Sequence, residues 1–220
     1  MSIFHHPGDE FLFDYATGAL GEAWGLAIAT HLALCPACRK AVADMEGVGG
    51  RLLEDATPDP IGDDVLSRVF EQIDSPHAPE VLQSTATPLS TEQPVLPEPL
   101  RGYAGGDVNA LRWQRLGFGA SQFLIPTGEN RVSARLLRIP AGRPVPTHSH
   151  GGLELTLVVA GAFSDSTGYY GRGDLQEADS HLQHQPHATD EEDCICLAVT
   201  DAPLRFKSLA ARIVQPFLGI

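Results

Sequence analysis

The segment His31-Leu-Ala-Leu-Cys35-Pro-Ala-Cys38 constrains the fold more than any other stretch of the chain. Read as a helix ending at a turn, it places His31 and Cys35 four residues apart on one face. Pro36 suits the first position of a new helix, because its missing N–H is not needed there. Cys38 then returns from that second helix towards Cys35. Three ligands of the kind zinc prefers would meet in a small space, and a tetrahedral site needs one more. His5 or His6, at the start of the chain, can supply it. Such a site would pin an N-terminal arm to the junction of two helices.

The residues around this junction favour helices. Gly8 to Gly18 carries Phe11, Leu12 and Tyr15 at helical spacing. Gly21 to Leu34 repeats the pattern with Leu26, Ile28, Ala29 and Leu32. Pro36 to Asp55 carries Val42, Met45, Val48, Leu52 and Leu53, although Gly47, Gly49 and Gly50 weaken its middle by about 1 kcal/mol each relative to alanine. Ile61 to Ile73 forms a fourth candidate through Ile61, Val65, Val69 and Ile73, with Asp63 and Asp64 near its start, where acids suit the helix dipole. Four short helices in 75 residues make a marginal core, the size class in which a structural metal matters.

Charge divides the chain unevenly. Residues 1–75 carry 13 acidic and 4 basic side chains, and residues 101–220 carry 12 and 11. An acidic segment of this kind repels nucleic acid and attracts a basic partner protein. The chain has no run of about 18 apolar residues, so no membrane span is expected. Its first residues lack the basic-then-apolar order of a signal peptide. A cytoplasmic location follows as the default, and there four cysteines read as thiols or metal ligands rather than disulfides.

Residues 76–100 change character. Six prolines are spread among serines and threonines, and no periodicity survives, which reads as a linker, extended and poorly ordered at least in part. From Leu111 onward short strands follow one another: Leu111–Leu116, Ser121–Ile125, Val132–Ile139, Glu154–Val159, Asp174–Ala178, Cys194–Val199 and Leu204–Phe206. Glycine and proline turns between them suggest a sandwich or barrel. The expected organisation is α+β and multidomain: a helical domain at 1–75, a linker at 76–100 and a β domain at 101–220.

Within the β domain, Gly142 to Gly161 has the form G-x5-H-x-H-x3-E-x6-G. On a strand His148 and His150 point the same way, because the side-chain period is two. Glu154 follows across the turn at Gly151-Gly152. Two imidazoles and a carboxylate converging inside a barrel form a metal triad. A fourth ligand should come from a later strand, with His181, His184 and His187 as candidates. Cys194 and Cys196 share one face of one strand and read as buried small side chains, poorly placed for an unstrained disulfide.

The His148–Gly161 block resembles the first cupin motif at every defining position. Tyr170-Gly-Arg-Gly173-Asp174 resembles the turn of the second motif, and His184-Gln-Pro186 its histidine, although the usual trailing asparagine is missing. His184 is therefore taken as the fourth ligand, with His187 the runner-up. A His-x3-Cys-x2-Cys helical domain joined by a Pro-rich linker to a cupin resembles the ChrR-type zinc anti-sigma factors of photosynthetic bacteria. The likeness includes His5-His6, the segment at 29–38, Gly152–Val158, Asp193–Phe206 and the closing VQPFLGI. It implies a small helical bundle with zinc, followed by a cupin barrel of the jelly-roll type. It implies two zinc ions per chain, one on His6, His31, Cys35 and Cys38 and one on His148, His150, Glu154 and His184. It further implies a regulator rather than an enzyme: a 1:1 complex with an extracytoplasmic-function sigma factor, released when the cupin responds to singlet oxygen or organic hydroperoxide. The alternative is a metal-dependent cupin oxygenase or isomerase with an N-terminal interaction module.

Overall fold

Helices lead and strands follow, as the sequence patterns indicate. The computed structural model describes residues 2–62, 64–75, 93–117, 119–129 and 131–206. They fall into two compact units, Met1–Val48 with Pro94–Ile220, and Gly49–Gln93. The helices are α1 (Asp9–Ala16), α2 (Glu22–Leu34), α3 (Pro36–Glu54), α4 (Val65–Ile73) and α5 (Leu100–Ala104). α4 begins four residues later than its apolar spacing suggests, so Ile61 lies outside it and is exposed. Asp64 is its N-cap, and Asp63 lies outside the described residues. The three glycines do not break α3.

α2 is buried around most of its circumference, at Ala23, Leu26, Ala27, Ile28, Thr30, His31 and Leu32. One side meets α1, where the Phe11 and Trp24 rings lie 6.1 Å apart. The other side packs on the barrel. Leu26 and Ile28 therefore belong to the same apolar cluster as Leu155, Leu157, Leu197 and Val199. α1 and α2 do not rely on a small core of their own, because the barrel extends it. The barrel also caps α2: the Glu129 carboxylate accepts the backbone N–H of Glu22, and Glu22 in turn accepts from Gly128 and from the Tyr103 hydroxyl.

Residues 76–92 of the expected linker, and the closing VQPFLGI, lie outside the described residues. Pro94 to Leu100 is not an extended tether. Leu96 and Leu100 are fully buried, and Asp107 accepts the N–H groups of Val95 and Leu96 at 3.0 and 2.8 Å. A proline-rich run becomes ordered when its few apolar side chains find a core and its remaining amides find an acceptor.

Among the described residues twelve strands build the barrel: β1 (Gln114–Gly117), β2 (Ala120–Ile125), β3 (Ser133–Ile139), β4 (His148–His150), β5 (Glu154–Ala160), β6 (Ala162–Ser164), β7 (Tyr169–Gly171), β8 (Leu175–Ala178), β9 (Gln183–His184), β10 (His187–Ala188), β11 (Cys194–Thr200) and β12 (Leu204–Phe206). One sheet has the order β1-β2-β3-β11-β5-β8, and two three-stranded sheets run β10-β6-β7 and β12-β4-β9. β11 is buried at all seven positions because both of its faces are covered. Ile195, Leu197 and Val199 turn towards the helices, while Cys194, Cys196, Ala198 and Thr200 line an internal cavity of about 570 Å³. β5 alternates in the same way, with Leu155, Leu157 and Val159 outward and Glu154 and Thr156 inward. The motif's last glycine is obligatory: Gly161 has φ 65°, and a Cβ there would lie 2.4 Å from the Asp193 carbonyl oxygen.

Candidate metal centres

The first cluster forms where α2 meets α3. Cys35 ends α2 in an extended conformation, Pro36 opens α3, and the two helices are bent by 117°. Arg39 secures the corner by donating to the carbonyls of Leu32 and Ala33 at the end of α2. His31 Nε2 then lies 3.3 Å from Cys38 Sγ. His6 Nδ1 lies 3.4 Å from Cys35 Sγ and 3.3 Å from Cys38 Sγ. One donor atom from each of His6, His31, Cys35 and Cys38 falls within 4.8 Å of the other three. Of the two early histidines, His6 joins the cluster, whereas the His5 ring lies tilted against Tyr170 with ring centroids 4.3 Å apart.

Donor chemistry favours a cation here. His31 Nδ1 faces the Gly173 carbonyl at 2.9 Å, and a carbonyl only accepts, so Nδ1 carries the proton and Nε2 offers its lone pair to the sulfurs. Burial pushes His31 down to about 4, so its ring is neutral at pH 7. Burial, with the hydrogen bond that the Cys38 thiol gives to Cys35 adding to it, pushes that thiol up to about 12. A buried group of two thiols and two imidazoles fits a soft, positively charged centre.

The arm carrying His6 is held by the barrel. Asp174 Oδ1 accepts the N–H groups of Phe4 and His5 at 2.7 and 2.9 Å, and its Oδ2 accepts Gly171 N–H at 2.9 Å. Burial alone would raise the Asp174 carboxyl, yet these backbone donors keep it below the usual carboxylate range. Leu175 N–H donates to the His5 carbonyl at 3.1 Å, and Gly8 N–H to Glu177 at 2.7 Å. The sequence pattern places Asp174 in a barrel turn and carries no signal for this second task.

The second cluster lies inside the barrel. His148 and His150 point inward from β4, and β9 sets His184 directly opposite His148. His184 Nε2 lies 3.0 Å from His148 Nε2 and 3.1 Å from His150 Nε2. His148 Nδ1 faces the Pro146 carbonyl at 2.9 Å, and His184 Nδ1 faces Asp165 Oδ2 at 2.6 Å, so both Nδ1 atoms donate. The Nε2 atoms converge on one point; a shared proton can bridge only one of the two gaps, whereas a cation satisfies every lone pair. Burial pushes His148 and His150 down to about 4.

Glu154 stands apart from this trio. Its Oε2 is 3.8 Å from His150 Nδ1, an atom with no hydrogen-bond partner among the described residues, and its Oε1 accepts from Thr156 at 3.1 Å. Burial raises Glu154 to about 7. The cluster whose donor atoms lie within 4.8 Å comprises His148, His150 and His184 only. His181 and His187 are exposed, and His187 bonds the Gly142 carbonyl. Asp165, which orients His184, follows no motif in the sequence; its side chain is fully buried. Burial would raise it, but hydrogen bonds from Thr167, Gln176 and His184 prevail and hold it at about 2. Cys194 and Cys196 are free and buried, their sulfurs 3.4 Å apart on the cavity wall. The Cys194 hydrogen bond, then burial, pushes the Cys196 thiol well above its ordinary value.

A jelly-roll barrel with an inward histidine cluster, sharing its core with helices whose corner forms a His-His-Cys-Cys cluster with the N-terminal arm, defines a cupin protein with a helical extension. Residues 103–203 match the family model described as the ChrR cupin-like domain. Anti-sigma-E factor ChrR of Cereibacter sphaeroides is 46% identical over 220 residues, covering 100% of both chains. A crystal structure of Rhodobacter sphaeroides SigE in complex with the anti-sigma ChrR matches with a TM-score of 0.77 and 43% identity, over 91% of this chain and 100% of that one. The chain belongs to the ChrR family of anti-sigma factors. Among the described residues no single helix is long and apolar enough to cross a membrane.

Proposed function

We propose that this chain binds and inhibits an extracytoplasmic-function sigma factor through residues 1–75, and that the cupin domain at 101–220, reached through the segment 76–100, is the sensor that releases it in response to singlet oxygen or organic hydroperoxide. The observation that carries the proposal is the His6-His31-Cys35-Cys38 cluster at the α2–α3 corner, in a chain 46% identical end to end to an anti-sigma factor. Zinc at this corner has no open coordination position, so it supplies a fixed anchor and no reactive water. His148, His150 and His184 hold the second metal through the Nε2 atoms that converge, and Glu154 serves as the fourth ligand when its carboxylate turns from His150 Nδ1 towards that point. The apolar face of α4 supplies a docking surface: Val65, Leu66, Val69, Phe70 and Ile73 are all exposed. An exposed apolar stripe on an acidic segment fits a basic partner with apolar pockets. No direct contact with nucleic acid is expected from that charge, and a cytoplasmic location goes with the sigma partner.

The test is transcription in vitro from a promoter dependent on an extracytoplasmic-function sigma factor of the same organism. The wild-type chain represses it with two zinc ions bound per chain. Cys35→Ala and Cys38→Ala lose one zinc and the repression together, while the cupin keeps its cooperative unfolding transition. Repression by a variant lacking clasp zinc, or none by the wild type, would overturn the proposal. The cavity beside the histidines favours one competing reading, a cupin oxygenase or isomerase; one zinc and one iron per chain, with oxygen uptake, would establish it instead.

A further inference from the structure

The Asp165 carboxylate accepts four hydrogen bonds, one of them from a member of the barrel cluster. Its Oδ2 accepts from His184 Nδ1 at 2.6 Å and from Gln176 Nε2 at 2.9 Å. Its Oδ1 accepts from the Thr167 amide and hydroxyl at 2.7 and 2.6 Å. Two routes leave this carboxylate for the N-terminal arm. The first runs through Gln176, which is buried on β8 between residues that hold the arm: Leu175 N–H bonds the His5 carbonyl and Glu177 bonds Gly8 N–H. The second runs through Thr167, whose hydroxyl pairs with the Tyr170 hydroxyl at 2.9 Å, and the Tyr170 ring lies against His5. Both end at His5, one residue before the clasp ligand His6.

We propose that Asp165 is a positioning residue shared by both clusters: it fixes His184 for the barrel metal and, through Gln176 and Thr167, keeps the arm docked so that His6 stays on the clasp. The element with two states is the arm, docked along β8 or lifted from it. Disturbing His184 alters the one carboxylate oxygen it shares with Gln176, so a change in the barrel reaches the arm by a chain of direct contacts. This inference rests on the reading of the His6 cluster as a zinc clasp.

The experiment uses the full chain and two readouts that need no sigma factor: hydrogen exchange at the Phe4, His5 and Leu175 amides, and the rate of clasp zinc transfer to a chromophoric chelator. In Asp165→Asn the arm amides exchange about tenfold faster, as expected for one charged hydrogen bond lost, and clasp zinc leaves faster. Amides of β3 and β11 keep their protection. Wild-type arm exchange in a folded Asp165→Asn variant would overturn the inference and leave Asp165 as a support of His184 alone. Should that variant unfold the barrel, Gln176→Leu and Thr167→Val decide, since each cuts one route. Faster arm exchange in either, with β11 protected, supports the coupling, and unchanged exchange in both refutes it. Repression by the wild-type chain is measured separately, so failure of the coupling and failure of the anti-sigma reading are distinguishable.

Discussion

Asp174→Ala tests how the arm is held. The carboxylate is 3% exposed and accepts three backbone N–H groups, two of them from the arm. A hydrogen bond to a charged acceptor contributes about 1.5–3 kcal/mol. The lower figure applies to the arm, because the Phe4 and His5 amides reach water once it lifts. Two such bonds give about 3 kcal/mol, and at about 1.4 kcal/mol per decade the docking equilibrium falls roughly a hundredfold. His6 rides on the arm, so zinc affinity at the clasp falls by a similar factor, leaving His31, Cys35 and Cys38 as a three-ligand remnant. The third lost bond, from Gly171, acts on the barrel turn and costs about 1–3 kcal/mol of barrel stability. Asp174→Asn is milder: its amide oxygen can still serve Phe4 and His5, while its NH₂ opposes Gly171 N–H. Zinc competition with a chelator of known affinity at pH 7 measures the loss, and thermal unfolding monitors the barrel. A folded Asp174→Ala protein whose clasp affinity lies within about threefold of wild type would refute the account, because hydrogen bonds of this number and charge cannot be that cheap to remove.

Two further outcomes are expected. Phe70→Glu, placed on a helix with no buried residues, should weaken sigma binding at least about tenfold by calorimetry while leaving the melting temperature unchanged, as a docking anchor would. Proton counting during metal binding separates the ligand sets. The Cys38 thiol, at about 12 in the metal-free protein, must give up its proton, so clasp affinity rises with pH between 6 and 8, tenfold for each proton released. His148 and His150, at about 4, are already neutral there and release none. Glu154, at about 7, is mostly protonated at pH 6 and gives up nearly one proton per metal if it is a ligand and none if it is not.

The elements most legible in the sequence were those whose chemistry is local. His31, Cys35 and Cys38 lie within one helical turn and its corner, so spacing alone assembles them. His148 and His150 share a strand face for the same reason. His6 and His184 come from distant segments; spacing left each among alternatives, and the family resemblance singled them out. Asp165 and Asp174 could not be read as site residues. Each acts through contacts with segments far away in sequence, Asp174 across about 170 positions to Phe4 and His5, and neither tertiary pairing leaves a periodic trace. The burial of α2 was half legible. Its apolar residues were plain, but helical spacing does not say what covers them, and the barrel covers one side. Pro94–Leu100 misled for the opposite reason, since composition alone cannot anticipate that Asp107 satisfies two amides there.

β8 explains why the metal clasp and the barrel belong together. It is the last strand of the six-stranded sheet, and such an edge leaves N–H and C=O groups exposed to pairing with another chain. The arm occupies that edge through the Leu175 amide and the Glu177 carboxylate. Docking therefore serves two requirements at once: it covers an edge that needs a partner and it delivers His6 to the helix corner. A chain that released its arm would expose the β8 edge in the same step that opened the clasp. That exposed edge is a cost the docked state avoids, and it biases the arm towards closure before any metal is bound.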